Sequence, residues 1–374
     1  MLRRFSVIDV FYSDAGMNFR RQVTSQYSIK YFTLLDYIHD SIAVHIFFIL
    51  TAICFVFLIL GYKTRLFQLF SAIGLISIHN VAIIVENGAD MVFNNYLIWS
   101  LFLPLGTSWS IDSVRESLKN TVEYDSNDLN KPKQSVYSRI FHFGYVACLV
   151  QLSMIYFYNY INKTGSMWDS GDALFYMYQL DTFLTYIGDW LASALPMDLM
   201  KLLSFSTLYI EIAAPVAILS PIFQPFLRRI TFITFIIFHF IIGISMNIGM
   251  FSWVMMAVLT LLLGKKEIGL AKKILDRYRR EYTVFYDRDC GFCHLTARIL
   301  RRMDGFSRLT WSDKLQKGEK PKNLNTLLET TIVVWDPKTD EIWTRHKGFS
   351  RIISALPFGV FFSWFWKGFE QAIL

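Results

Sequence analysis

Residues 230–264 read ITFITFIIFHFIIGISMNIGMFSWVMMAVLTLLLG, 35 positions without one Asp, Glu, Lys or Arg. As one helix this stretch would be about 52 Å long at about 1.5 Å per residue. That is too long for one crossing of a hydrocarbon core about 30 Å thick. It therefore holds two crossings, divided at Asn247-Ile248-Gly249, where Asn and Gly tolerate a tight turn. Working outward, residues 41–60, 66–85 and 140–162 are equally free of charge, and 202–227 contain one acid, Glu211. Residues 92–105 are shorter and include Asn94 and Asn95. The pattern predicts an α-helical polytopic membrane bundle of about seven spans.

Composition agrees. Of 374 residues, 53% are hydrophobic, 17% aromatic and only 18% charged, against about 25% charged in soluble domains. Disordered, collagen-like and disulfide-rich secreted classes are excluded. The net charge of +7 is uneven. Residues 265–374 carry 21 Lys/Arg against 13 Asp/Glu, and residues 1–264 carry 16 against 17. The expected organisation is a membrane domain over 1–264, a basic amphipathic linker helix over 265–280, and a soluble domain over 281–374. The linker KKEIGLAKKILDRYRR suits the anionic inner leaflet, so membrane lipids are expected partners. No recognition motif accompanies the charge, so nucleic acid is not expected.

Orientation follows from Lys and Arg in short loops. Lys63 and Arg65, then Arg115, Lys119, Lys131, Lys133 and Arg139, then Arg228 and Arg229, then the 265–280 cluster all fall on one side of seven spans. That side is cytoplasmic, which places the chain as a multi-pass inner-membrane protein with a cytoplasmic C-terminal domain. Arg3, Arg4, Arg20, Arg21 and Lys30 go against the rule, because the first 40 residues then lie outside. No signal peptide is visible. The segment 163–201, with Asp169, Asp172, Asp181 and Asp189, is too polar to span. It is expected to form an interfacial or re-entrant helix capped by Ser170 or Asp172. Entered through Gly171, it would fold over a cavity as a lid.

In the soluble part YTVFY (282–286) reads as a buried strand. It runs into Cys290-Gly291-Phe292-Cys293 and a helix HLTARILRRMD. TIVVWD (331–336) and EIWTR (341–345) flank a turn, and a last helix is expected near Phe349. That order is the order of an α/β thioredoxin-like fold. Two cysteines three apart at a helix start can close a disulfide with little motion, and the helix end favours the first thiolate. Half of a zinc site, with His294 and His346 as further ligands, and an inert pair are the alternatives. The histidine spacing does not suit zinc.

The stretch Phe285-Tyr286-Asp287-Arg288-Asp289-Cys290-Gly291-Phe292-Cys293 resembles the YDxDCxxC signature of the DCC family of thiol-disulfide oxidoreductase-like proteins. Residues 1–270 resemble the HTTM (horizontally transferred transmembrane) family, relatives of the vitamin K-dependent γ-carboxylase. The resemblance rests on Phe11-Tyr12-Ser13-Asp14-Ala15-Gly16, on Phe102-Leu103-Pro104-Leu105-Gly106 through Trp109-Ser110-Ile111-Asp112, on Lys163 with Trp168 and Gly171, on Glu211-Ile212-Ala213-Ala214-Pro215, and on His239. It implies that Lys163, five before Trp168, stands where the carboxylases keep their catalytic base, with a quinone/hydroquinone as cofactor. Where the carboxylase has a histidine, this chain reads Phe93-Asn94-Asn95-Tyr96. The bacterial members imply maturation of an exported peptide, with a thiol redox partner for the soluble domain.

Read from the residues, Cys290 and Cys293 are the redox candidates and Lys163 the membrane-side base, although a span-end lysine also snorkels. Glu211 and His239 are costly in hydrocarbon and should face a shared pocket with Lys163 and Trp168. His45, His79 and His142 read as structural. Trp109, Trp168, Trp190 and Trp253 also suit an interfacial belt. Cys54 and Cys148 read as small buried hydrophobes. Three functions stay open: peptide maturation, quinone-linked carboxylation, and a transport or lipid-binding scaffold.

Overall fold

The computed structural model describes the chain except residues 1, 15, 17–31, 83–84, 108–109, 120–142, 278–281, 288, 305–307, 314–320, 322, 329–330, 357–358 and 360–374. Trp109, His142, Arg288 and the basic residues Arg20, Arg21, Lys30, Lys131, Lys133, Arg139, Arg279 and Arg280 lie outside the described residues. The chain divides into two units: 1–58, 65–104 and 141–266 in one, and 59–64, 105–140 and 267–374 in the other.

The first unit is helical. After one turn, α1 (Ile8–Phe11), come α2 (Ser41–Leu60), α3 (Thr64–Val81) and α4 (Gly88–Ser100); α5 (Ile111–Lys119) belongs to the second unit. Then follow α6 (Phe143–Ile161), the short α7 (Ser166–Asp169) and α8 (Ala173–Met177), α9 (Tyr186–Ala194), α10 (Met197–Leu219), α11 (Gln224–Ser245) and α12 (Phe251–Leu259). Among the described residues α2, α10 and α11 are long and apolar enough to cross a membrane. A helix stands at each of the other expected spans, but α4 has 13 residues and α12 nine, about 20 Å and about 14 Å, both short of a full crossing, so seven full-length spans are not seen among the described residues. On α2, Ile42, Ile46, Ile49, Ile53 and Val56 are exposed while Val44, Phe48 and Thr51 are buried. The exposed stripe recurs every three or four residues and suits lipid rather than water. Opposite faces make the core: Val92 of α4, Leu152 and Tyr156 of α6, Ala214 and Ile218 of α10, Phe235 of α11 and Met255 of α12 interlock. The long apolar run does turn where the sequence divides it, between Ser245 and Phe251.

The single interfacial helix expected over 163–201 does not form. The chain breaks at Gly171, whose φ of +78° is open to glycine at little cost, and turns again at Asp181–Phe183. Neither Ser170 nor Asp172 caps a helix through its side chain; the Asp172 carboxylate accepts from Ser170 Oγ (2.6 Å) instead.

The second unit holds α13 (Lys265–Arg277), which begins at the unit boundary, then β1 (Tyr282–Tyr286), α14 (Gly291–Met303), β2 (Leu309–Asp313), α15 (Leu324–Leu328), β3 (Val333–Asp336), β4 (Glu341–Thr344) and α16 (Arg345–Ala355). The strands form one mixed sheet in the order β2-β1-β3-β4. β1 and β2 are parallel, with Tyr282 opposite Leu309; β3 is antiparallel to both β1 and β4. Val284, Trp311, Val334, Ala297 and Ile352 form the core between sheet and helices. The β3–β4 hairpin matches the sequence reading. β2 does not appear in that reading, and α16 begins at Arg345, four residues ahead of Phe349. In the same unit α5 packs against α14. Asp112 of α5 ties down the 61–64 turn, accepting from Lys63 N–H (2.9 Å), Thr64 N–H (2.7 Å) and Thr64 Oγ1 (2.7 Å). Burial works to raise the Asp112 carboxyl, but these donors and Arg115 carry it below its ordinary range.

Candidate functional site

Two centres emerge, one in each unit. In the membrane unit Lys163 follows the last turn of α6, its N–H held by Tyr160 O at 3.0 Å. Its ammonium donates to Glu211 Oε1 at 2.6 Å and also contacts Oε2. It sits 5.4 Å from the centre of the Trp168 ring, within cation–π range. Glu211 lies mid-helix on α10 with a side chain only 4% exposed, against 21% for Lys163. Lys163, Glu211 and Trp168 therefore meet, as the sequence leads one to expect.

His239 makes no hydrogen bond to Lys163 or Glu211 among the described residues. Its Nε2 lies 3.1 Å from the Tyr156 hydroxyl, and Phe235, Phe238 and Phe251 box the ring. Its Nδ1 has no hydrogen-bond partner among the described residues. Tyr156 is absent from the sequence reading.

The 163–195 segment is fastened at both sides. Leu174 N–H donates to Ser204 Oγ at 3.0 Å, and Lys201 pairs with Asp172 at 3.5 Å. Further on, Asn247 N–H donates to Phe183 O at 2.6 Å and Thr185 N–H to Ser245 O at 3.1 Å. Between it and the turn joining α11 to α12 lies a cleft of about 450 Å³ lined by Leu184, Thr185, Asp189, Asn247 and Trp253, a size that suits small ligands. An apolar groove of about 260 Å³ along Val92, Phe93, Tyr96, Val254 and Val258 has room for a hydrocarbon tail.

In the second unit Asp287 Oδ1 accepts from Asp289 N–H (3.1 Å), shaping the loop that delivers Cys290 to the start of α14. Cys290 is the N-cap, and its Sγ accepts from Cys293 N–H at 3.3 Å. Both cysteines are free thiols. Hydrogen bonds from the Cys293 thiol and backbone hold the Cys290 thiol below its ordinary range, against burial and the Asp287 charge. Cys293 is pushed the other way, up to about 11, by burial and then by Cys290 itself. This is the division of labour a dithiol exchange needs, one thiol ionised at low cost and one held in reserve. Phe292, between them, is 77% exposed. Among the described residues no group of three or more His, Cys, Asp or Glu is placed to hold a metal ion. The chain matches no family model, no curated protein and no solved structure.

Proposed function

We propose that the chain is a multi-pass inner-membrane protein of the HTTM type whose C-terminal domain is a cytoplasmic, thioredoxin-like thiol–disulfide oxidoreductase, acting in the maturation of an exported peptide. The observation that carries the redox reading is Cys290 at the α14 N-cap with its sulfur on the Cys293 amide. The sheet order β2-β1-β3-β4, with β1 parallel to β2 and the cysteines between β1 and its helix, is that of a thioredoxin fold and supports it. The cytoplasmic placement is supported by α5. That helix lies in a loop that the charge rule puts inside, and it packs on α14 within one unit.

The chemistry runs as thiol–disulfide exchange. The Cys290 thiolate attacks one sulfur of a substrate disulfide, forming a mixed disulfide and releasing the other sulfur as a thiolate. Cys293, deprotonated, then attacks Cys290 sulfur. The Cys290–Cys293 disulfide forms, the substrate leaves as a dithiol, and a cytosolic dithiol reductant restores the pair.

A second reading, quinone-linked base chemistry, is favoured by the Lys163–Glu211 contact. An ammonium is no base, so Lys163 would have to pass a proton to Glu211 before accepting one from a substrate. The 2.6 Å bond supplies that acceptor.

The test is trapping. Cys293→Ser should accumulate mixed disulfides through Cys290, resolved by a reductant on a gel, and Cys290→Ser should not. Equal trapping by both variants would defeat the assignment of attacking and resolving thiols.

A further inference from the structure

Outside both centres, a charged cluster sits where the amino-terminal segment meets α3 and α4. Arg4 Nη2 donates to Asp90 Oδ2 at 2.5 Å, and Arg4 Nη1 donates to the Tyr12 hydroxyl at 3.0 Å. His79 Nε2 lies 3.3 Å from Asp90 Oδ1, and its Nδ1 lies 2.8 Å from Asn94 Oδ1. Glu86 stands in the α3–α4 loop with a side chain 8% exposed. Its Oε1 is 4.0 Å from His79 Nδ1 and has no hydrogen-bond partner among the described residues.

Two carboxylates, Glu86 and Asp90, share one guanidinium, and Asp90 holds it. A buried carboxylate with a bare oxygen is among the costliest arrangements a fold can hold. Such a group ordinarily relieves itself by taking up a proton. A proton on His79 would also balance the charge, but it would leave Glu86 Oε1 bare. A proton on Glu86 removes the unpartnered charge itself.

We propose that Glu86 is a proton-binding site of the membrane unit: it is packed while it carries the proton, and it surrenders that proton to water by turning out of the cluster. The groups facing it are Arg4 and Tyr12 from the amino-terminal segment, His79 from α3 and Asp90 from α4. Burial, and then repulsion from Asp90, push the Glu86 carboxyl up to about 7, against the pull of Arg4. The adjoining backbone gives the event a readout. Asn87 N–H donates to Asp90 Oδ2 at 3.0 Å, and Asp90 N–H donates to Asn87 O at 3.0 Å, so the first turn of α4 starts at the residue after Glu86. Turning Glu86 outward pulls on that turn.

The experiment uses the full chain in detergent micelles. Infrared difference spectra between about pH 5 and about pH 8 bracket the ordinary range of histidine and lie above that of carboxylates. They should show a protonated-carboxyl C=O band that is lost on raising the pH. The band should vanish in Glu86→Gln, an isostere of the protonated form, and persist in His79→Gln. Hydrogen exchange of residues 87–91, corrected for intrinsic rates, should speed up severalfold with pH in the parent and stay flat in Glu86→Gln. A band that survives Glu86→Gln overturns the proposal. So does a parent with no carboxyl band whose imidazole titrates instead, or exchange that is pH-independent in both proteins.

Discussion

Breaking the Lys163–Glu211 pair from its two ends should cost different amounts, and the structure gives the sign. Lys163→Met leaves a carboxylate whose side chain is 4% exposed without its cation. Removing one partner of a buried pair costs about 3–5 kcal/mol, and the partial opening at Lys163 puts this case near the lower end. Glu211→Gln leaves the lysine, 21% exposed, which can turn its ammonium to water. Its loss is closer to that of a hydrogen bond to a charged group, about 1.5–3 kcal/mol. The double variant Lys163→Met/Glu211→Gln leaves no buried charge and should be more stable than Lys163→Met alone, which requires a coupling larger than the Glu211→Gln loss, about 2–3 kcal/mol against about 1.5 kcal/mol. Unfolding in mixed micelles, followed by intrinsic fluorescence for all four proteins, reads the cycle. The reasoning fails if Glu211→Gln is the more damaging change, or if the single effects add to within about 0.5 kcal/mol.

Two further outcomes concern the other elements. Alkylation of reduced Cys290 should reach half its maximal rate below the ~8.5 of a free cysteine, because a lowered pKa puts more thiolate at each pH; Cys293 should lag toward its value of about 11, and Cys290→Ser should bring it down. Parallel pH profiles for the two thiols would contradict the assignment of their roles, and labelling of Cys290 from outside intact cells by an impermeant reagent would contradict the proposed cytoplasmic placement. Gly188→Ala places a Cβ 2.2 Å from the Ser245 carbonyl oxygen. It should cost about 1–3 kcal/mol as overpacking and expose 183–190 to proteolysis; unchanged protection would mean that α9 docks by other contacts.

What the sequence announces and what it conceals divide along physical lines. The division of 230–264 is legible because a charge-free run has a maximum useful length. Lys163 and Glu211 are legible because charges stand out against hydrocarbon. The partner of His239 is not. A histidine gives no sign of which hydroxyl or acid it will meet, and α6 offers tyrosines at 145, 156, 158 and 160. β2 is concealed for another reason: LTWSD is five residues long, and its one strong sign is that Leu309 and Trp311 are buried while Thr310 is exposed. The Glu86 cluster joins Arg4 and Tyr12 to His79, Glu86, Asp90 and Asn94, so the window 79–94 holds four of its members but not the guanidinium that completes it. His79, read as structural, is one of its members.

The fastening of the 163–195 segment has a consequence for how such a protein diversifies. Two of its ties, Asn247 to Phe183 and Thr185 to Ser245, run from main chain to main chain, and a main-chain bond is indifferent to the side chains beside it. Met167, Tyr176, Leu180 and Trp190 are all exposed along the segment. Substitutions there alter what the surface recognises while the segment stays moored where it is. The scaffold thus separates the inheritance of shape from the inheritance of specificity, and mutation can explore the second at little risk to the first.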